Sequence, residues 1–276
     1  MKIHLKSNIF KGIFIAFSMI LFSGCGNDTK TVTSDVNSIH PMSVKNVLFA
    51  HGFLSSADTW NHYVEVTSDY ADREWVIYRT DVSDTGSIVR RAGQLADYIN
   101  AQGLEDNSMI VIGHSMGGLD LRYIISQGNQ NQTDDNKYYK AAKKIYKFYT
   151  IATPHKGVEI ANILPEDNGA VSDLSADHMS MFNKEHPYSN SSIDGRKIEM
   201  LAFRFACDDD KSTDGIVPIE SQVLDGAPYT KEVLDGKHTT ARHIIICEDD
   251  VIAELNQNSI INNILDNSTP EQITSL

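Results

Sequence analysis

The sequence predicts an α/β fold in which a mainly parallel sheet is covered by helices on both faces. Three observations carry this. Short, wholly apolar runs such as Val47-Leu48-Phe49-Ala50 and Met109-Ile110-Val111-Ile112 read as strands buried on both sides. They alternate with helix-length segments whose apolar residues recur on one face, the order expected of strand–helix–strand units. At one strand–helix junction stands Gly113-His114-Ser115-Met116-Gly117, a glycine-flanked serine on a turn. After residue 42 no internal repeat or change of composition appears, so residues 42–276 read as one domain.

The elements follow in order. Val47–Ala50 is a strand that ends in His51-Gly52-Phe53, and Asp58 and Thr59 begin a short helix carrying Trp60 and Tyr63. Trp75–Tyr78 is the next strand. A helix from about Ser87 to Asn100 shows Val89, Leu95, Tyr98 and Ile99, with Gly103 as its stop. The strand Met109–Ile112 leads into the serine turn, where a side chain at either flanking glycine would collide with neighbouring backbone. Leu121, Ile124 and Ile125 then mark one helical face, which Gly128 is expected to end. Residues 129–137 form a polar loop. Ile145–Ala152 is a strand ending at Thr153-Pro154-His155, and Ile198–Ala206 is another. Between them, residues 157–195 hold no convincing strand and read as a small cap over the sheet. Val251, Leu255, Ile260, Ile261, Ile264 and Leu265 give a C-terminal amphipathic helix or helix pair.

The N-terminus stands apart from this domain. Lys2, Lys6 and Lys11 precede the apolar run Ile13–Phe22, which is short for a membrane span, and then Ser23-Gly24-Cys25. This resembles a bacterial lipobox, with Phe22 in place of the commoner leucine. It implies a signal peptide over residues 1–24, lipidation of Cys25, and membrane attachment in the cell envelope outside the cytoplasm; a cleaved secretory signal is the alternative. Residues 25–41 are polar and read as a flexible tether. With 24 Lys and Arg against 37 Asp and Glu, the chain carries a net charge of −13, which argues against nucleic acid as a partner.

A serine hydroxyl becomes a nucleophile when a histidine takes its proton, and the imidazole needs a carboxylate to fix its tautomer. In the strand–turn–helix setting of Ser115 both partners come later in the chain, the acid before the histidine. Asp214, in Thr213-Asp214-Gly215-Ile216-Val217-Pro218, follows the Ile198–Ala206 strand by a short loop and is preferred as the acid. Asp208, Asp209 and Asp210 are nearby rivals that could equally form a solvated acidic face. For the base, His243 lies just before the C-terminal helix and ranks ahead of His238, which sits in a more polar run. The backbone N–H groups of Phe53 and Met116 are placed to receive an oxyanion, with His51 bracing the Phe53 loop.

These residues together resemble a known family. His51-Gly52-Phe53, Gly113-His114-Ser115-Met116-Gly117-Gly118, Ala152-Thr153-Pro154-His155-Lys156-Gly157 and Asp214-Gly215-Ile216-Val217-Pro218 are similar to motifs of bacterial triacylglycerol lipases and related esterases of the α/β-hydrolase superfamily. Arg91 to Leu95 adds to the likeness, which runs from about residue 45 to 260. The resemblance implies an α/β-hydrolase fold and hydrolysis of carboxylic esters, lipid or other acyl esters, through an acyl-enzyme on Ser115. No organic cofactor is required. Such lipases often hold calcium through an aspartate two residues after the histidine; counted from His243 that place is Ile245, so no metal is expected. The small cap argues for an esterase rather than a true lipase. Related secreted lipases also place a disulfide near the acid, which suggests a Cys207–Cys247 bridge, with two buried thiols as the alternative. The same triad would serve an acyltransferase, thioesterase or amidase, and a non-catalytic envelope lipoprotein could keep the scaffold.

Overall fold

The strand runs assemble into the expected sheet. In the computed structural model, residues 46–61, 75–159, 169–207, 210–236, 238 and 260–265 are described. Five strands lie side by side in the order β2-β1-β3-β4-β7, every pairing parallel: β1 (Asn46–Ala50), β2 (Val76–Arg79), β3 (Met109–His114), β4 (Ile145–Ile151) and β7 (Glu199–Phe203). Alternate residues of the strands feed two apolar layers. Leu48 and Val111 face the layer built by α1 (Ile88–Ala101) and α2 (Met116–Gln130), with Leu95, Ile99, Leu121 and Ile124. Val47, Phe49, Ile110 and Ile112 face the opposite layer, which includes Ile260, Ile261, Ile264 and Leu265 of a helical segment at 260–265. Two apolar faces per strand explain why β1 and β3 read as unbroken apolar runs rather than alternating ones.

The chain moves from β1 to the edge strand β2 and returns past β1 to β3, so the order reverses at β1 and β3. Their carboxyl ends open the crevice in which α/β sheets place ligands. Both the His51 loop and Ser115 stand there.

Helix ends follow the local chemistry, with one exception. Ser87 caps α1 by accepting a hydrogen bond from Arg90 N, and Gly103 takes the left-handed conformation just beyond its end (φ +65°). Gly128 does not end α2, which continues to Gln130. A Cβ at Gly128 would lie 2.9 Å from Ala142 Cβ and 3.0 Å from Tyr138 O. The glycine therefore serves close packing against a helix the sequence reading omitted, α3 (Lys137–Lys144), capped by Asn136.

Two further differences bear on the site. The expected single strand Ile198–Ala206 breaks at Arg204, whose guanidinium binds the Thr230 and Lys231 carbonyls. The chain resumes as β8 (Phe205–Ala206), which pairs in parallel with β9 (Leu234–Asp235). Over the sheet, the cap region contains α4 (Gly169–Asp173), α5 (Ala176–Glu185) and a small hairpin, β5 (Ser192–Ile193) with β6 (Arg196–Lys197). The hairpin turn is Asp194-Gly195, both with positive φ, the pairing favoured in two-residue hairpins. Several hydrogen bonds tie the cap down, among them these two. Asp173 Oδ2 accepts from Ile88 N at the start of α1, and Arg122 of α2 donates through Nε and Nη2 to the His186 carbonyl beyond α5.

The proposed signal segment, Cys25 and the tether lie outside the described residues. So do Tyr63, Asp208, Asp209, Cys247 and the Val251–Leu255 part of the C-terminal helix. Among the described residues no helix is long and apolar enough to cross a membrane.

Candidate active site

Ser115 stands between the end of β3 and the start of α2 in a strained conformation, φ 54° and ψ −129°. The glycines around it are enforced by contact. A Cβ on Gly113 would fall 2.6 Å from the Gly118 backbone, and one on Gly117 would strike the Ala50 and His51 carbonyls. The turn thus packs between β1 and the first turn of α2, and any side chain on its flanks would open it.

The acid loop is organised around Asp214, which is buried. Its Oδ1 accepts from the N–H groups of Ile216 at 3.0 Å and Val217 at 2.7 Å. Its Oδ2 stands 2.9 Å from Nδ1 of His238, and the Asp214 carbonyl accepts from His238 N at 2.7 Å. On its other edge the His238 ring brings Nε2 to 2.8 Å from Ser115 Oγ. With Asp214 ionised, Nδ1–H donates to the carboxylate and Nε2 accepts the serine proton, the tautomer required of a general base.

The imidazole between serine and acid is therefore His238, not His243, and the ranking made from sequence is corrected. His243 itself lies outside the described residues. The reason His238 arrives here is the β8–β9 pairing. It lays Leu234–Asp235 along the strand that enters the acid loop and, with Gly236 N donating to Ala206 O, delivers the chain beside Asp214. The calcium comparison moves as well, because two residues beyond His238 stands Thr240, again not an acid. Of the rival acids, Asp210 is exposed and accepts from Ser212 N and Oγ, which holds its carboxyl below the usual range. It turns away from the triad to order its own loop.

The two residues whose N–H groups are expected to receive an oxyanion flank Ser115 from different segments. Met116 is the first residue of α2, so its N–H has no intrahelical acceptor and lies at the positive end of the helix. Phe53 follows Gly52, where a Cβ would come within 2.8 Å of Ser115 Cβ and 3.3 Å of its Oγ. The glycine lets this loop approach the serine.

His51 braces the loop, as its position before Ser115 suggested. Its Nδ1–H donates to Gly52 O at 2.9 Å and its Nε2 accepts from Val82 N at 3.1 Å. Burial, with Arg91 nearby, pushes its pKa down and keeps it neutral for this pair of bonds. Arg91 holds the same loop from below, donating to His51 O at 2.7 Å, to Ser83 O at 2.7 Å and to Asp120 Oδ2 at 2.9 Å.

Two supporting residues escaped the sequence reading. Gln222, fully buried, receives Phe205 N on Oε1 and donates Nε2 to the Phe205 and Val217 carbonyls, clasping both ends of the acid loop. Asp120 is the buried partner of Arg91. Neither belongs to a motif; an acid and an amide on apolar faces were the only signal. Cys207 is disulfide-bonded to a cysteine outside the described residues, and Cys247 is one of those. The bridge is anchored where Cys207 N donates to Thr213 O across the base of the loop.

A buried serine–imidazole–carboxylate array at a strand–helix turn is the arrangement that serine hydrolases use. Comparison with known proteins agrees in kind. Residues 42–171 match the family described as "Putative serine esterase (DUF676)". No curated protein sequence matches the chain. Among solved structures it is similar to mature lipase BlEst2 of Bacillus licheniformis, with TM-score 0.58 and 18% identity over 82% of this chain and 94% of that one. It is also similar to EstA from Clostridium botulinum, with TM-score 0.52 and 12% identity over 78% and 86%. Phospholipase PlaB from Legionella pneumophila aligns with TM-score 0.55 and 14% identity over 79% of this chain but only 58% of that longer one. The fold is the α/β-hydrolase fold.

Proposed function

We propose that this protein hydrolyses carboxylic esters through an acyl-enzyme on Ser115. The observation that carries the reading is the continuous array Asp214 Oδ2–His238 Nδ1 at 2.9 Å and His238 Nε2–Ser115 Oγ at 2.8 Å. Ser115 Oγ attacks the acyl carbon while His238 Nε2 takes its proton, and Asp214 stabilises the imidazolium. The carbonyl oxygen, now an oxyanion, sits against the N–H groups of Phe53 and Met116. The C–O bond to the alcohol breaks as His238 returns the proton to the leaving oxygen. Water, activated by the same imidazole, then cleaves the acyl-serine and releases the acid.

The surroundings favour an apolar acyl group. Phe53, Leu54, Met116, Leu174, Met179 and Val217 form one apolar cluster that joins the oxyanion loop, the serine turn, the acid loop and the cap. A lipid or other acyl ester is the substrate class this supports. The attachments of the cap to α1 and α2 support an esterase acting on dispersed substrate. Lipidation of Cys25 and an extracytoplasmic, membrane-attached location are part of the same proposal, resting on the lipobox-like N-terminus.

Hydrolysis of p-nitrophenyl esters of graded chain length tests it. Ser115→Ala and His238→Ala should each lower kcat by about 10⁴-fold or more, whereas His243→Ala should stay within about threefold of the parent. Activity surviving Ser115→Ala overturns the proposal, and loss only with His243→Ala moves the base. Competing alcohols and amines in the same assay would expose acyl transfer.

A further inference from the structure

A second imidazole lies against the base. His114 is the last residue of β3, directly before Ser115, and is buried. Neither of its ring nitrogens has a hydrogen-bond partner among the described residues. Its ring centroid is 4.8 Å from that of His238, with the planes 35° apart. On its other side Trp60 meets it edge-on at 6.3 Å and 85°, and Trp60 stacks on Phe49 at 4.7 Å. A column of rings, Phe49–Trp60–His114–His238, therefore runs from β1 in the core to the base. With no hydrogen bond among the described residues to hold it, His114 takes its place from the rings beside it, and one of those rings is His238.

We propose that His114 is a positioning residue for His238: its ring keeps the base in line with Ser115 and Asp214 and offers a π face to the imidazolium that forms during proton transfer. The inference rests on His238 being the base, as proposed above. A cation gains from an aromatic face, and more so where water is excluded. The gain requires a neutral partner, since a second positive charge would oppose protonation of the base. Burial, then His238 and His51, hold the His114 pKa well below its ordinary value. Among the described residues, the groups that stand against it are His238 on one face, His51 from the end of β1, and the uncharged indole of Trp60. A Cβ on Gly52 would lie 3.4 Å from His114 Nδ1, so the backbone of the His51-Gly52-Phe53 loop lies beside this nitrogen.

The test compares His114→Leu, which fills the space without a π face, with His114→Phe, which keeps one. Both are made in the full chain and read by kcat and KM from about pH 5 to about pH 9. His114→Leu should lower kcat about tenfold with KM within about twofold, and should move the acid limb of the profile down by about half to one pH unit. His114→Phe should keep the limb within a few tenths of the parent. The pH dependence of Ser115 labelling by a fluorophosphonate should shift in the same way, which gives a readout independent of substrate binding. A limb that stays in place in His114→Leu, or moves equally in His114→Phe, overturns the inference and leaves His114 as packing. The two readings fail separately. Activity surviving Ser115→Ala defeats the proposed function, and an active His238→Ala variant defeats the assignment of the base on which this inference rests. An inactive His238→Ala variant beside an unmoved limb in His114→Leu defeats only the role of His114.

Discussion

Replacing Arg91 by methionine tests how the oxyanion loop is held. Arg91 is wholly buried, and its three hydrogen bonds join α1 to the Ser83 carbonyl, to Asp120 on α2 and to the His51 carbonyl at the loop. Methionine keeps most of the stem and removes every donor. Asp120, whose Oδ1 already has no partner among the described residues, would then be a buried carboxylate with no ion pair among them. Removing one member of a buried pair costs about 3–5 kcal/mol. For a domain of this size each kcal/mol moves Tm by about 2–4 °C, so the variant should melt roughly 10 °C below the parent.

The loss should depend on pH with a defined sign. Burial pushes the Asp120 carboxyl up to about 7 against the pull of Arg91. A folded-state pKa above the unfolded value means that folding favours the protonated acid. Stability from this group is full below the unfolded carboxyl pKa and is lost as pH rises through the folded value. Without Arg91 the folded pKa climbs further, so the deficit of the variant should be small near pH 5, about one unit above the unfolded value, and largest above about pH 8. The double variant Arg91→Met/Asp120→Leu should recover more than half of the lost Tm, because it leaves no buried charge. Calorimetry at several pH values gives the stability, and kcat measured below Tm gives the effect on the loop, expected at roughly tenfold for a donor-bearing segment that loses its anchor. An Arg91→Met protein melting within about 3 °C of the parent at every pH would refute the reasoning.

Two further outcomes follow from the same geometry. Gly117→Ala should lose folded protein or nearly all activity, because its Cβ would strike the Ala50 and His51 carbonyls, which are backbone and cannot swing aside; soluble expression and fluorophosphonate labelling check this. Thiol titration under denaturing, non-reducing conditions should find neither Cys207 nor Cys247 reactive, and two reactive thiols besides Cys25 would exclude the bridge.

The parts of the fold that could be read from sequence are those whose cause is local. β1 and β3 announced themselves because a strand covered on both faces must be apolar at every position, and Ser87 and Gly103 marked the ends of α1 because capping is settled within a turn or two. Gly128 misled for the opposite reason. Read locally it is a helix stop, yet its function is the approach of α3, a neighbour that only the packed structure supplies. The short helix α3 runs for only about two turns, so its single buried face of Tyr139, Ala141 and Ala142 offers too few positions to set it apart from the loop before it. The break at Arg204 was likewise hidden, since the run Ile198–Ala206 is apolar on both sides of it.

The sequence by itself determined the turn that carries Ser115, the loop at Phe53 and the acid at Asp214. Each is a contiguous motif that can be read without knowing what packs against it, even though Gly52 and Gly117 answer to contacts between two loops far apart in sequence. Only the tertiary structure decided which imidazole joins them. His238 and His243 share one stretch after the acid, and spacing along the chain says nothing about which of them reaches a serine 123 residues earlier. That choice was made by β9 lying against β8, by the backbone bond from His238 to Asp214, and by the ring of His114 beside the base. These are contacts between segments far apart in sequence, and they exist only once the sheet has brought the strand ends together.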